Sequence, residues 1–179
     1  MSNIFLCSDH HLSHENIVVF KRKDGVTPLR NFKNITEHDE HIIAQHNKVV
    51  RPNDKVYFLG DVTFHNKYLH LIARMNGEKV LIKGNHDTLK LSQYQPYFKD
   101  IRAYHILDKF ILSHIPIHPL SFSRWAANIH GHLHDRVVPG EYNKPDNRYY
   151  NVSMEQLDNY TPISLEDMKS RLRKLHLIT

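Results

Sequence analysis

The sequence predicts an α/β domain whose sheet is covered on both faces. Two observations carry that reading: runs of β-type residues about the length of a core strand recur along the chain, and amphipathic helical patterns separate the early ones. A third is positional, because five of these runs end in a residue that binds metals or moves protons.

The first run, NIFLC from Asn3, breaks into Ser8, Asp9, His10 and His11. A helix follows, with Thr36 as its expected cap and Glu37, Asp39 and Glu40 in its first turn. Ile42, Ile43, His46, Val49 and Val50 share one face before Pro52 stops it. KVYFL from Lys55 is the second strand and leads across Gly60 to Asp61. The next helix points Tyr68, Leu69, Ile72 and Met75 at the core and ends at Asn76 and Gly77. KVLIK from Lys79 leads across Gly84 to Asn85, His86 and Asp87. KFILS from Lys109 leads to His114, and ANIH from Ala127 leads across Gly131 to His132 and His134. YYNV from Tyr149 is a last strand, and a final helix starts at Ser164 with Leu165, Met168, Leu172 and Leu175 as its stripe.

No repeat, low-complexity tract or linker divides the chain, and 179 residues with 40% hydrophobic content suffice for one buried core, so residues 1–179 are read as a single domain. No apolar stretch has membrane-spanning length, and the N-terminus lacks the basic start and apolar run of a secretory signal, so a cytoplasmic location is expected. Cys7 lies inside a strand and is read as a small buried hydrophobe. The net charge of +5 suits an anionic partner without identifying it. The 16 histidines raise the expectation of a metal site or acid-base chemistry, because neutral imidazole serves both.

In open α/β sheets the C-terminal strand ends line the ligand crevice, so the polar residues after five strands can converge although they span more than a hundred positions. The set combines carboxylate and amide oxygens with imidazole nitrogens and has no thiolate. It favours manganese, iron, zinc or nickel, with manganese first, over a sulfur-rich structural zinc. Two aspartates and at least four histidines exceed what one ion needs, which points to a dinuclear site. Two divalent ions, neutralised by Asp9, Asp61 and one bridging hydroxide, leave a positive centre suited to a phosphoryl group. Such a pair, roughly 3.5 to 4 Å apart, activates water and holds phosphate oxygens for in-line attack.

The segments SDHH, GDV, GNHD, the SH at Ser113 and His114, and GHLH at Gly131 to His134, in that order, resemble the calcineurin-like metallophosphoesterase superfamily. The tail NVSMEQLDNYTPISLED is similar to that of small bacterial and phage members. The resemblance implies a four-layer αββα sandwich with two metals at one sheet edge. It implies Asp9, His11, Asp61 and His134 as ligands of one ion, and Asp61, Asn85, His114 and His132 of the other, with Asp61 bridging. It further implies that His86 contacts the scissile phosphate and protonates the leaving oxygen, with Asp87 holding its ring.

Other histidines receive weaker assignments. His10 alternates with Asp9 and His11 and so faces away from the metals in a structural role. His14 is read as a solvated or helix-end residue, with substrate contact as the alternative. His118 is open between a structural and a functional role, in a loop stiffened by Pro116 and Pro119.

Protein-phosphatase relatives carry Asp-Arg after GD and Glu after GNH, whereas this chain reads GDVTFHN and GNHD, which lowers the phosphoprotein reading. Arg30, Asn34 and Arg124 are the candidate substrate contacts. The basic run Lys21 to Lys23 is read as a solvated loop or as an attraction for a nucleotide or nucleic acid. Phe122, Trp125, Tyr149 and Tyr150 are read as core packing, with base stacking as the alternative. The function expected is phosphodiester hydrolysis of nucleotide-like or cyclic esters by metal-activated hydroxide. A general phosphomonoesterase and a non-catalytic phosphate-binding module are the alternatives. The natural substrate and oligomeric state are not legible.

Overall fold

In the computed structural model, which describes residues 2–122 and 124–175, nine strands form two sheets. The first sheet holds β1 (Ile4–Cys7), β2 (Lys55–Phe58), β3 (Glu78–Ile82), β4 (Asp100–Arg102) and β9 (Ile163–Ser164). Its order is β4-β3-β2-β1-β9, parallel except for β9. The second holds β5 (Tyr104–Leu107), β6 (Phe110–Ser113), β7 (Ala127–His130) and β8 (Tyr149–Asn151) in sequential order, with β5 antiparallel to β6 and the rest parallel. Two sheets with accompanying helices match the αββα sandwich that the resemblance implies.

Central parallel strands are buried on both faces and therefore read as continuous apolar runs. β6 and β7 are buried at every position. Leu6, Phe58 and Leu81 of the first sheet share one hydrophobic cluster with Phe110, Leu112 and Ile129 of the second. Burial of each such side chain contributes about 1.5–3 kcal/mol. Cys7 lies in that cluster, and burial pushes its thiol pKa up, as suits a packing residue.

The helix α1 (Ile35–Val49) buries Ile42, Ile43 and His46. The ring of His46 stacks on Phe58 with centroids 5.8 Å apart. Its cap is Asn34, whose side-chain oxygen accepts from the Glu37 amide at 2.9 Å, and not Thr36 as the sequence suggests. The segment expected to form a second helix is a 3₁₀ turn, Asn66–Tyr68, followed by a one-turn helix α2 (His70–Ala73). Leu69, Ile72 and Met75 are nevertheless buried, so the apolar spacing survives while the regular helix does not. After another one-turn helix, α3 (Leu91–Tyr94), the last helix α4 (Leu165–Lys174) starts at the expected Ser164, whose hydroxyl accepts from the Asp167 amide. Leu175 falls past its end and is exposed, which removes it from the expected stripe. No helix among the described residues is long and apolar enough to cross a membrane.

Strands β4, β5 and β9 were not legible in the sequence. β4 carries Asp100 and Arg102, which pair with each other, around a single apolar residue. β9 has only two residues.

Candidate metal centre

The chain does not stop pairing where β1 and β2 end. The amide of Asp9 donates to the Gly60 carbonyl at 3.0 Å, and the amide of His11 donates to the Asp61 carbonyl at 3.0 Å. This continuation carries Asp9, His11 and Asp61 to one place. His10, between them, points into the core and stacks on Phe58 at 4.7 Å, fully buried, which is the structural position expected for it. From the second sheet, the Gly131 amide donates to the His114 carbonyl and the His132 amide donates to Asp9 Oδ2 at 2.9 Å, so the two sheets meet at the same edge.

Two groups of potential ligands result: Asp9, His11 and His134, and Asp61, His114 and His132, with the ligand atoms of each group within 4.8 Å of one another. Asp61 Oδ2 joins them, lying 3.9 Å from His11 Nε2 and 3.3 Å from His114 Nε2. Asn85 Oδ1 completes the second group, 2.8 Å from His114 Nε2 and 3.0 Å from His132 Nδ1.

The carboxylates are divided between structure and site. Asp9 Oδ2 accepts from the His132 amide and the Ser153 hydroxyl, while its Oδ1 is buried without a hydrogen-bond partner. Asp61 Oδ1 accepts from the His86 amide at 2.9 Å, which leaves Oδ2 for the centre. His11 is buried with neither ring nitrogen hydrogen-bonded. Buried polar atoms without partners cost about 1–3 kcal/mol each, and a cation between Asp9 Oδ1 and His11 Nε2 removes that cost. The donors therefore fit the oxygen- and nitrogen-seeking divalent ions that the fold implies.

The outer nitrogens of two rings fix which nitrogen is free. His114 Nδ1 donates to the Leu59 carbonyl at 2.7 Å, and His134 Nδ1 donates to Glu155 Oε1 at 2.9 Å, leaving each Nε2 to face the centre. Electrostatics bind the same groups together. Burial raises the Asp9 pKa, but the nearby His11 imidazole, 3.8 Å away, and the charges of His114 and His134 outweigh it and hold the carboxylate well below its usual range. Burial works against protonation of His114, yet the bond to Asp61 and the charge of Asp9 outweigh it and lift the imidazole to about 9. A proton there occupies the electrostatic role of a bound cation.

Five of these residues stand in the left-handed backbone region: Asp9 (φ 58°), His11 (φ 50°), Asp61 (φ 55°), His132 (φ 67°) and His134 (φ 53°). Such positions cost non-glycine residues about 1–3 kcal/mol each and cluster at functional sites. Here they turn the chain sharply past the strand ends. The glycines of GNHD and GHLH serve proximity: a Cβ on Gly84 meets the Asp61 carboxylate, and one on Gly131 meets Ser8 and Asp9.

His86 is exposed beside the centre, its ring 4.6 Å from Phe64 and 5.9 Å from His11. Asp87 requires a correction. Expected to hold that ring, it is buried and accepts from the amides of Asp61 and Gly84 at 2.8 Å and of Val62 at 3.0 Å, so it fastens two loops together instead. Arg30, expected to touch substrate, is fully buried. Its guanidinium is engaged by Glu155, His38 and the Asp9 and His10 carbonyls and presents nothing to solvent. Asn34 is exposed, but its side-chain oxygen is occupied in capping α1. Arg124 is exposed and lies over the Trp125 ring at 5.7 Å. His14 packs against Phe64 at 4.4 Å, and His118 Nδ1 accepts from the Leu120 amide. Sequence reasoning missed Ser153, which is buried, and Glu155, whose side chain is buried against the site; an acidic residue set among Val152, Met154 and Leu157 was the available signal.

Comparison with known proteins agrees with this geometry. A profile of calcineurin-like phosphoesterases matches residues 2–174. The chain is 34% identical over 177 residues to the uncharacterized protein MJ1445 of Methanocaldococcus jannaschii, covering 93% of this chain and 89% of that protein. It is 25% identical over 202 residues to the Gene 66 protein of Mycobacterium phage D29, covering 91% and 93%. Among solved structures, a protein of unknown function, AQ665 from Aquifex aeolicus, superposes with a TM-score of 0.72 at 26% identity, covering 96% of this chain and all of that one. With the profile spanning nearly the whole chain and both ligand groups assembled at the sheet edge, this protein belongs to the calcineurin-like phosphoesterase family.

Proposed function

We propose that this phosphoesterase is a dinuclear metal-dependent phosphodiesterase acting on nucleotide-like or cyclic phosphate esters. The observation that carries the proposal is the placement of Asp61 Oδ2 between His11 and His114, which makes one carboxylate common to two ligand groups. Asp9, His11, Asp61 and His134 would hold one ion, and Asp61, Asn85, His114 and His132 the other, with manganese first and iron, zinc or nickel also suited to these donors. Bound there, the ions supply positive charge against the phosphate and an acidified water.

The side chains do the rest. Asp61 Oδ1 holds the His86 amide, so the loop carrying the general acid is tied to the carboxylate that organises the metals. The His86 ring, exposed and against Phe64, would give a proton to the leaving oxygen in this reading. Asp87 keeps this loop fixed against the one carrying Asp61 through the amides of Asp61 and Val62, and closes its own turn through that of Gly84.

Diester preference follows from charge. A monoester dianion calls for an extra cation at the centre, yet the arginine nearest Asp9 is buried and engaged by Glu155, and the positions after Asp61 are Val62 and Thr63. A monoanionic diester needs no such clamp. Hydrolysis of bis-p-nitrophenyl phosphate, p-nitrophenyl phosphate and 2′,3′-cyclic nucleotides, after loading with manganese, nickel, zinc or magnesium, tests this. A clear preference for the monoester by specificity constant would make the protein a general phosphomonoesterase. Absence of turnover with every metal would leave a phosphate-binding module.

A further inference from the structure

The run Lys21 to Lys23, read from sequence as a solvated loop or a steering element, is part of a built hairpin. Lys21 pairs with Pro28 across it, the Arg22 amide donates to the Thr27 carbonyl at 2.8 Å, and the Leu29 amide donates to the Phe20 carbonyl at 2.7 Å. Asp24 closes the turn by accepting from the amides of Val26 and Thr27 and from the Thr27 hydroxyl. With Asp24 committed to the turn, the basic side chains are displayed on a fixed arm.

That arm forms one wall of a cleft of about 430 Å³, and the other wall is the segment from His134 to Arg136. This second wall is fixed as well: Asn151 Nδ2 donates to the carbonyls of His134 and Arg136, and Gln156 Nε2 donates to that of His134. His134 belongs both to this lining and to the first ligand group, so the cleft and the candidate metal centre share that residue and are neighbours. Lys21, Arg22, Lys23 and Arg136 line it against a single carboxylate, Asp135. The lysine and arginine ion pairs among the described residues all lie elsewhere. Phe20, also in the lining, is 44% exposed. Cations that are not neutralised by the protein, next to an exposed aromatic ring, are the combination that holds a nucleic-acid strand by phosphate contacts and base stacking.

We infer that this cleft seats a second phosphate of the substrate, one residue along a nucleotide backbone from the scissile phosphate, so that the substrate class is a short single-stranded oligonucleotide. The inference rests on the phosphodiesterase reading for the chemistry but on the cleft alone for the second phosphate.

The test compares the dinucleotide TpT with the same dinucleotide carrying an added 5′- or 3′-terminal phosphate, under one metal condition. One or two charge-assisted contacts correspond to about a tenfold higher specificity constant for one of the phosphorylated forms. Lys21→Ala/Arg136→Ala removes that preference, and so does Lys21→Glu. Equal specificity constants in the parent protein, or a preference that persists in both variants, would overturn the inference. A binding arm on metal-free protein reads the cleft even if no dinucleotide is cleaved, an outcome that counts against the phosphodiesterase reading alone. Anisotropy of a fluorescent phosphorylated trinucleotide across a salt series should show a slope of log K against log salt shallower by about 0.7 per cation removed. An unchanged slope and affinity would refute the cleft, and tighter competition by ADP than by the phosphorylated dinucleotide would refute the backbone assignment.

Discussion

Glu155 and His134 are joined by a 2.9 Å hydrogen bond from the imidazole Nδ1 to Oε1, and the same oxygen accepts from Arg30 Nε at 2.8 Å. Burial raises the Glu155 pKa, but the charge of Arg30 and the bond from His134 outweigh it and hold the carboxyl at about 2. A carboxylate behind a ligand histidine sets which nitrogen faces the metal and raises its basicity. Glu155→Gln, which keeps the shape and removes the charge, should weaken metal binding about 10- to 100-fold. Competition with a chelator measures this, and unchanged affinity would reduce Glu155 to a counter-ion for Arg30.

Asp61 stands between two ligand groups, so its loss should reach both. The parent protein is expected to bind about two transition ions per chain, and Asp61→Ala should disturb both. Elemental analysis after metal loading and gel filtration distinguishes this from a protein that holds one ion and keeps it in the variant.

His86 and His132 separate chemistry from metal binding. His86→Ala should retain the metals and lower turnover about a hundredfold, the scale of a lost general acid, with the largest loss on esters with poor leaving groups. His132→Ala should lose metal and activity together. Equal metal loss in both variants would make His86 a ligand.

His46 predicts a pH dependence of stability away from the metal centre. Its ring is buried against Phe58 and bonded through Nε2 to the Asn76 carbonyl, and burial lowers its pKa from 6.5 to about 4. Between these values the unfolded chain binds the extra proton and the folded chain does not. The His46 contribution is therefore complete above pH 6.5 and is lost as pH falls toward 4, by about 2 kcal/mol between pH 7 and pH 5. Denaturant midpoints at the two pH values for the parent protein and His46→Gln check it: the variant should show the smaller difference.

Much of the architecture was legible because parallel central strands write themselves as short apolar runs, as VYF in β2, VLI in β3 and FIL in β6 do, while β7 interrupts its run with Asn128 and His130 and is marked mainly by the Gly131 that follows. The polar residues after them were legible for the same reason, since a strand end is a fixed address. Short edge strands such as β9 were not, because two residues carry no periodicity. The misreading of Arg30 has a different cause. An arginine next to Asn31 and near Lys33 looks like surface, and its burial depends on partners that approach from elsewhere in the chain, among them Glu155, 125 residues away. Asp87 misled because adjacency in the chain suggested a contact with His86, whereas its carboxylate reaches back 25 and 26 positions to Val62 and Asp61.

The left-handed backbone at Asp9, His11, Asp61, His132 and His134 bears on how such a protein drifts under selection. Glycine adopts that conformation at lower cost than the Asp and His now present, although these two are among the side chains that tolerate it best. A population selected only for folding would therefore gain by replacing the ligands, and would arrive at a sturdier chain with an empty chemistry. All five positions carry Asp or His in this chain, which folding alone does not call for. A screen for heat tolerance run without an activity filter should enrich changes at these five positions first.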